Sequence, residues 1–295
     1  MTHRTPARPV NIEEVFPELV PLRRHTVRLH PRPGQPSGTD SSVGGPLWWP
    51  STEPWPVCTE VHFEIDAYHP YDGEVPLVPI VQVWRRDAPG FPFPEDRDIL
   101  QILWCPLDHN ELECPRPQVY WRSSEAAGSE RKPPPLPDAA EQDYIPAPCL
   151  VYPEQVAEYP SWDLEMYRDT RAAVRDRIDQ LRENTGWHYQ YHLSTAPGIK
   201  LGGYPGWSQE PVWPDCESCG QRMDHLLTVP SEEYDSETWR TWLPLQDRSA
   251  PAIRGDDYYP TALFEPVGVR IGRSGGLYIF ECRRCPHRPT AHEHD

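Results

Sequence analysis

No window of this 295-residue chain approaches the roughly 20 consecutive apolar residues of a membrane-spanning helix, so no membrane association is expected. Met1 to Val10 hold His, Arg and Pro but no apolar stretch, so no secretory leader is expected either. The expected compartment is the reducing cytoplasm, where paired cysteines serve metal or chemistry rather than disulfides. Basic charge is also scarce. Against 45 Asp and Glu stand only 28 Lys and Arg, a formal charge of −17, which argues against nucleic acid as a partner and either suits a basic protein or only keeps the chain soluble. The G-x-S-x-G, H-E-x-x-H and P-loop sequences are missing, so no familiar catalytic constellation is in view.

What the chain does have is proline, at 39 residues, and tryptophan, at 12. That mixture disfavours long helices and favours short strands with rigid turns. Thr26 to Leu29 reads as a first short strand, and Leu77 to Arg86, Asp98 to Trp104, Met223 to Val229 and Gly276 to Cys282 as further ones. The spacing predicts one clear helix over residues 161–186, capped by Ser161, with Asp163 and Glu165 in its first turn and Gly186 past its end. Leu164, Tyr167, Val174, Ile178 and Leu181 would form its core-facing stripe.

Residues 44 to 58 align with residues 202 to 216 without a gap at an offset of 158. Gly44 meets Gly202, Gly45 meets Gly203, Trp49 meets Trp207, Trp55 meets Trp213, Pro56 meets Pro214 and Cys58 meets Cys216. The glycines are read as turn or close-approach positions, because no phosphate-loop context surrounds them. Each segment is followed by an apolar strand, a variable loop and a second strand ending on cysteine, at Cys105 and Cys282. The expected fold is therefore α+β and mainly antiparallel β. It is an internal duplication of one β-rich unit, packed as a pseudo-symmetric pair about a shared core, with the helix between. The expected boundaries are a flexible segment at 1–24, a first repeat at 25–121, a Pro-rich linker at 122–160, the helix at 161–186, a second repeat at 187–287 and a tail at 288–295.

Two C-x2-C pairs, Cys216 with Cys219 and Cys282 with Cys285, are separated by 62 residues. A two-residue spacer lets both sulfurs face one point, and four thiolates suit a tetrahedral, closed zinc site. The expected cofactor is structural Zn²⁺, bringing together the ends of the second repeat. In the first half the counterparts are Cys58 followed by His62 and Cys105 followed by His109. These could form a degenerate second site, with Cys114 as an alternative donor. The simpler reading is that this half has lost its zinc and its cysteines are ordinary buried residues, as Cys149 also should be. His62-Phe63-Glu64 has the H-x-E form of a zinc deaminase, but Asp215 breaks the P-C-x-x-C context that chemistry needs. His292, Glu293 and His294 are expected in a frayed tail.

Leu201 to Gln209, the following C-x2-C, Met223 to Val229 and Gly275 to Phe280 together resemble the YwqG-like family of uncharacterised bacterial proteins. Gly44 to Pro50 and Leu77 to Trp84 resemble that family's earlier segment. With its cysteine knuckles the second half is also similar to the programmed-cell-death-two proteins. The resemblance implies a duplicated antiparallel fold and a chaperone-like role toward a ribosomal protein, a basic client. The chain departs from that pattern in lacking the first half's C-x2-C pairs. The expected function is a non-enzymatic, zinc-stabilised, protein-binding scaffold. A toxin-immunity or regulatory binder is an alternative within that class, and a hydrolase built on unrecognised Asp, Glu and His residues is an alternative outside it.

Overall fold

The computed structural model describes residues 3–60, 62, 73–109, 114–126, 128–235, 237–248, 260–272 and 275–295. Among them the strands of the first half are β1 (Arg24–Arg28), β2 (Arg32–Pro33), β3 (Ser42–Val43), β4 (Leu47–Pro50), β5 (Val57–Cys58), β6 (Val75–Pro76), β7 (Val78–Trp84), β8 (Ile99–Cys105) and β9 (Arg116–Arg122). They are followed by β10 (Gly128–Arg131), β11 (Cys149–Leu150), β12 (Glu154–Glu158), β13 (Lys200–Gly202), β14 (Asp224–Pro230), β15 (Gly276–Glu281) and β16 (Thr290–His294).

Two six-stranded sheets carry the fold, in the orders β2-β11-β3-β7-β8-β9 and β12-β1-β13-β14-β15-β16, and every pairing in them is antiparallel. β4 with β10 and β5 with β6 form two small ribbons. Each sheet has six strands. Each also carries one irregularity, since β7 bulges against β8 between Pro79 and Val81, and β14 bulges against β15 between His225 and Leu227. Inward side chains of both sheets, among them Ile80, Leu100 and Ile102 from one and Leu226, Leu277 and Ile279 from the other, form one shared core.

The central strands are buried on both faces: every residue of β7, β8 and β15 is buried. That is why they read as near-continuous apolar runs rather than as alternation. On β8, Leu100, Ile102 and Trp104 face the shared core while Leu103 and Cys105 face outward into a second cluster with Trp49 and Cys58. On β15, Leu277 and Ile279 face inward while Tyr278, Phe280 and Cys282 face a cluster with Trp207, Cys216 and Cys285. The two cysteine-bearing modules thus roof the outer faces of the two sheets.

Several expected boundaries are corrected. β1, assigned to the first repeat, pairs with β12 and β13 in the C-terminal sheet. The supposed linker supplies β10, β11 and β12, which enter three different sheets. Strands of two to five residues need only backbone pairing, so they leave no apolar period in the sequence. The N-terminal segment is not loose, because Ile12, Phe16 and Leu19 are buried against Leu164, Val174, Leu181 and Tyr189. The supposed tail is β16, paired along its whole length with β15.

The long helix runs Arg168–Thr185, and Trp162–Met166 is a separate 3-10 turn. Ser161 makes no capping bond, since the chain turns to bury Asp163 instead. At the other end Gly186 adopts φ +74, and its N–H donates to the Arg182 carbonyl. Gly is favoured there because a Cβ would strain the left-handed turn. Val174, Leu181 and the partly buried Ile178 form the packed stripe together with Leu164 from the preceding turn, but Tyr167 lies outside that cluster.

Candidate metal centres

The C-terminal centre is assembled from two hairpin knuckles. Cys216 donates its N–H to the Gln221 carbonyl, and the N–H of Gly220 returns to the Cys216 carbonyl at 2.7 Å. Gly220 takes φ +66, the sharp turn a knuckle requires. The second knuckle closes through Cys282 N–H to the Pro289 carbonyl and Arg288 N–H to the Cys285 carbonyl, both 2.9 Å. Strand pairing of β14 with β15 then brings the knuckles together across the intervening residues.

The sulfurs pair crosswise: Cys216 Sγ lies 3.9 Å from Cys285 Sγ, and Cys219 Sγ lies 3.6 Å from Cys282 Sγ. All four ligand atoms lie within 4.8 Å of one another. Four sulfurs in a tetrahedron around zinc at about 2.3 Å would stand about 3.8 Å apart, so the donor set matches the group. The separations are far beyond a disulfide's, and all eight cysteines are free thiols. Crowding shows in their protonation. Burial opposes ionisation of Cys282, but the N–H groups of Cys285 and Arg284 outweigh it and hold the thiol down to about 7. Burial and the three neighbouring sulfurs push Cys285 up to about 12. A divalent cation would relieve that repulsion.

The N-terminal set also converges. His62 Nε2 lies 3.2 Å from Cys105 Sγ, and His109 Nε2 lies 3.4 Å from Cys58 Sγ. The two imidazoles are 4.8 Å apart between centroids, and all four residues are buried with ligand atoms within 4.8 Å of one another. A sulfur and an imidazole nitrogen on one tetrahedral zinc would stand about 3.6 Å apart. Of the two readings of this half, a degenerate second site or buried thiols that have lost their metal, the geometry is compatible with the first. A full donor set is present that could hold a metal ion. Cys105 and then His109 hydrogen-bond to Cys58 and pull its thiol well below the ordinary range, while the same pairing pushes Cys105 up. Cys114 is not a donor in the set. It is buried in the shared core, and burial pushes its thiol up to about 12. Cys149 is the buried thiol expected, donating to the Pro266 carbonyl at 3.2 Å. His62 sits beside Cys105 rather than the Cys216 pair, and Phe63 and Glu64 lie outside the described residues.

The aligned tryptophans buttress the two centres. Trp207 and Trp213 both donate to Asp163 Oδ1, at 3.0 and 2.6 Å, and both pack on Phe280. Trp49 packs on Trp55 at 5.1 Å in the first half. The sequence signalled Asp163 only as a helix-start acid, whereas burial has raised its carboxyl pKa and the two indoles hold it. The buried pair of Lys200 with Glu158, 2.9 Å apart, was not foreseen either. Its reason lies in the aligned glycines: Gly203 takes φ +71, and a Cβ there would fall 1.9 Å from Glu158 Oε1. Among the described residues no helix is long and apolar enough to cross a membrane. No protein-family model matches the chain, and no curated protein aligns with it.

Proposed function

We propose that both donor sets hold structural zinc and that the protein is a non-enzymatic cytoplasmic scaffold that binds another protein, of basic charge. What carries the reading is the closure of the two sets, four protein donors each, all S in one and S₂N₂ in the other. Such softness selects zinc, and four filled positions leave none for a substrate. Each ion would clamp a roof onto one sheet, which makes a stiff platform rather than a catalyst.

A basic partner is favoured by the charge of −17 and by a cleft of about 420 Å³ that carries Glu232, Asp235 and Asp295 beside Trp162 and Tyr191. The two rings are 37% and 38% exposed, as rings awaiting a partner are. Burial, then Glu265 and Asp235, raises the Glu232 pKa, so a cationic side chain entering there would relieve like-charge repulsion. A chaperone-like binder of one client fits this surface.

Two measurements test the reading. Elemental analysis of protein purified under reducing conditions should find two zinc ions per chain. Affinity purification from the native host with mass spectrometry should recover one basic protein. Metal-free folded protein would overturn the zinc reading, and consistently empty purifications would overturn the binding one.

A further inference from the structure

Beside the four-cysteine centre lies a cleft of about 570 Å³ whose character is opposite to that of the molecule. Five arginines line it, Arg23, Arg24, Arg222, Arg283 and Arg284, against one carboxylate, Asp224. In a chain with only 28 Lys and Arg and a charge of −17, that concentration needs a cause. Three of the five are engaged at the rim: Arg23 with Glu13 at 3.0 Å, Arg222 with Asp215 at 3.0 Å and Arg283 with Glu281 at 2.9 Å. Arg24 and Arg284 form no close ion pair with a carboxylate among the described residues; at longer range the Arg24 charge acts on the buried Asp163. Arg284 donates to the Arg222 carbonyl at 3.1 Å. The Arg24 guanidinium lies over Tyr204 at 4.3 Å and Trp213 at 5.3 Å, and it donates to the Gly203 carbonyl at 3.3 Å.

We propose that this cleft binds a phosphate ester bearing a flat ring, of the nucleoside diphosphate class. A guanidinium has five N–H donors, and stacking fixes the plane of Arg24 while leaving most of its donors unused. A fork held that way matches the geometry of a phosphate oxygen pair. The cleft also has apolar walls, since the partly exposed Phe91 and Tyr167 line it with Met166, itself 42% exposed. Its volume lies within the range of small-molecule sites. A nucleic-acid strand is disfavoured, because the surrounding field of the acidic chain repels a long polyanion while a diphosphate meets only the cleft.

The cleft is built by the metal centre. Arg283 and Arg284 lie between Cys282 and Cys285, and Arg222 follows Cys219 by three residues. The proposal therefore rests on the C-terminal set being formed as read above, though not on a protein client.

The test is titration calorimetry of adenosine diphosphate into full-length protein at low ionic strength, with inorganic pyrophosphate and adenosine in parallel arms and zinc content measured on every sample. Adenosine diphosphate should bind at least about tenfold more tightly than either fragment, and Arg24→Ala and Arg284→Ala should each weaken it at least about tenfold, Arg284→Ala with zinc content and thermal midpoint unchanged. Arg284 is exposed, so its removal reports on binding even if the Arg24 variant folds poorly. Absence of binding to zinc-loaded protein, or binding unaffected by Arg284→Ala, overturns the site while leaving the metal reading intact. Pyrophosphate binding as tightly as the nucleotide overturns the assignment of a ring. Arg284-dependent binding by folded, zinc-free protein would uphold the cleft and sink the metal reading instead.

Discussion

Cysteine positions carry their meaning locally, because a C-x2-C knuckle needs only its own turn to aim two sulfurs at one point. Cys282→Ser removes one of four donors, so zinc content should fall from two to one per chain and the thermal midpoint by at least about 10 °C, read by elemental analysis and calorimetry. Cys114→Ser should leave the metal content at two, since that thiol lies in the shared core. His30 tests the electrostatics of burial. It is fully buried, and desolvation, reinforced by the Arg28 charge, pushes its imidazole down to about 3. The unfolded chain takes up that proton near 6.5 and the folded one does not, so stability present above pH 6.5 is lost as pH falls toward 3, at about 1.4 kcal/mol per pH unit. His30→Asn, which tolerates the φ of +46 there, should flatten that slope relative to wild type in denaturant titrations across pH. Nothing in the sequence marks His30, whose environment comes from remote elements.

Elements long enough to show a period were legible, and short ones were not. β7, β8 and β15 were visible because each is mostly apolar and bounded by turns, and β14 because of its apolar centre, Leu226, Leu227 and Val229. β16 was invisible. Its sequence, Thr-Ala-His-Glu-His, looks like a solvated tail, yet it pairs at five positions with β15, and Asp295 beyond it accepts from Tyr278 Oη at 3.0 Å, the Gly276 N–H at 3.1 Å and the Ser208 N–H at 2.8 Å. Removing residues 290–295 would bare the β15 edge beside Leu277 to Phe280. The truncated protein should lose at least about 3 kcal/mol in urea unfolding and scatter light at concentrations where the full chain does not. Buried ion pairs act at this scale as well, since Glu158 joins β12 to Lys200 of β13 through fully buried groups. Glu158→Gln leaves that ammonium unpaired, and it should cost about 3–5 kcal/mol by the same urea measurement.

The two halves of the molecule stand or fall together, because one core draws side chains from both sheets and β1, β11 and β12 cross between chain regions to complete them. Cys105→Ser, which breaks the N-terminal donor set, should therefore lower a single unfolding transition rather than produce two. Amide exchange should quicken in β15 of the opposite sheet as much as in β8. Two resolved transitions would show that the shared core does not couple the sheets. Each sheet has six strands, and each carries one register irregularity, between β7 and β8 in one and between β14 and β15 in the other.

The amino-acid sequence by itself determined the mainly antiparallel character, the four-sulfur set and the aligned Gly and Trp positions, because each depends on spacing that a few consecutive residues express. Tertiary structure alone decided the rest. It closed Cys58, His62, Cys105 and His109 into a second set, placed β1 in the distant sheet, and gathered five arginines of an acidic chain around one cleft. Those outcomes depend on which remote segments share a sheet, and short strands leave that choice to backbone pairing and to the core they jointly bury.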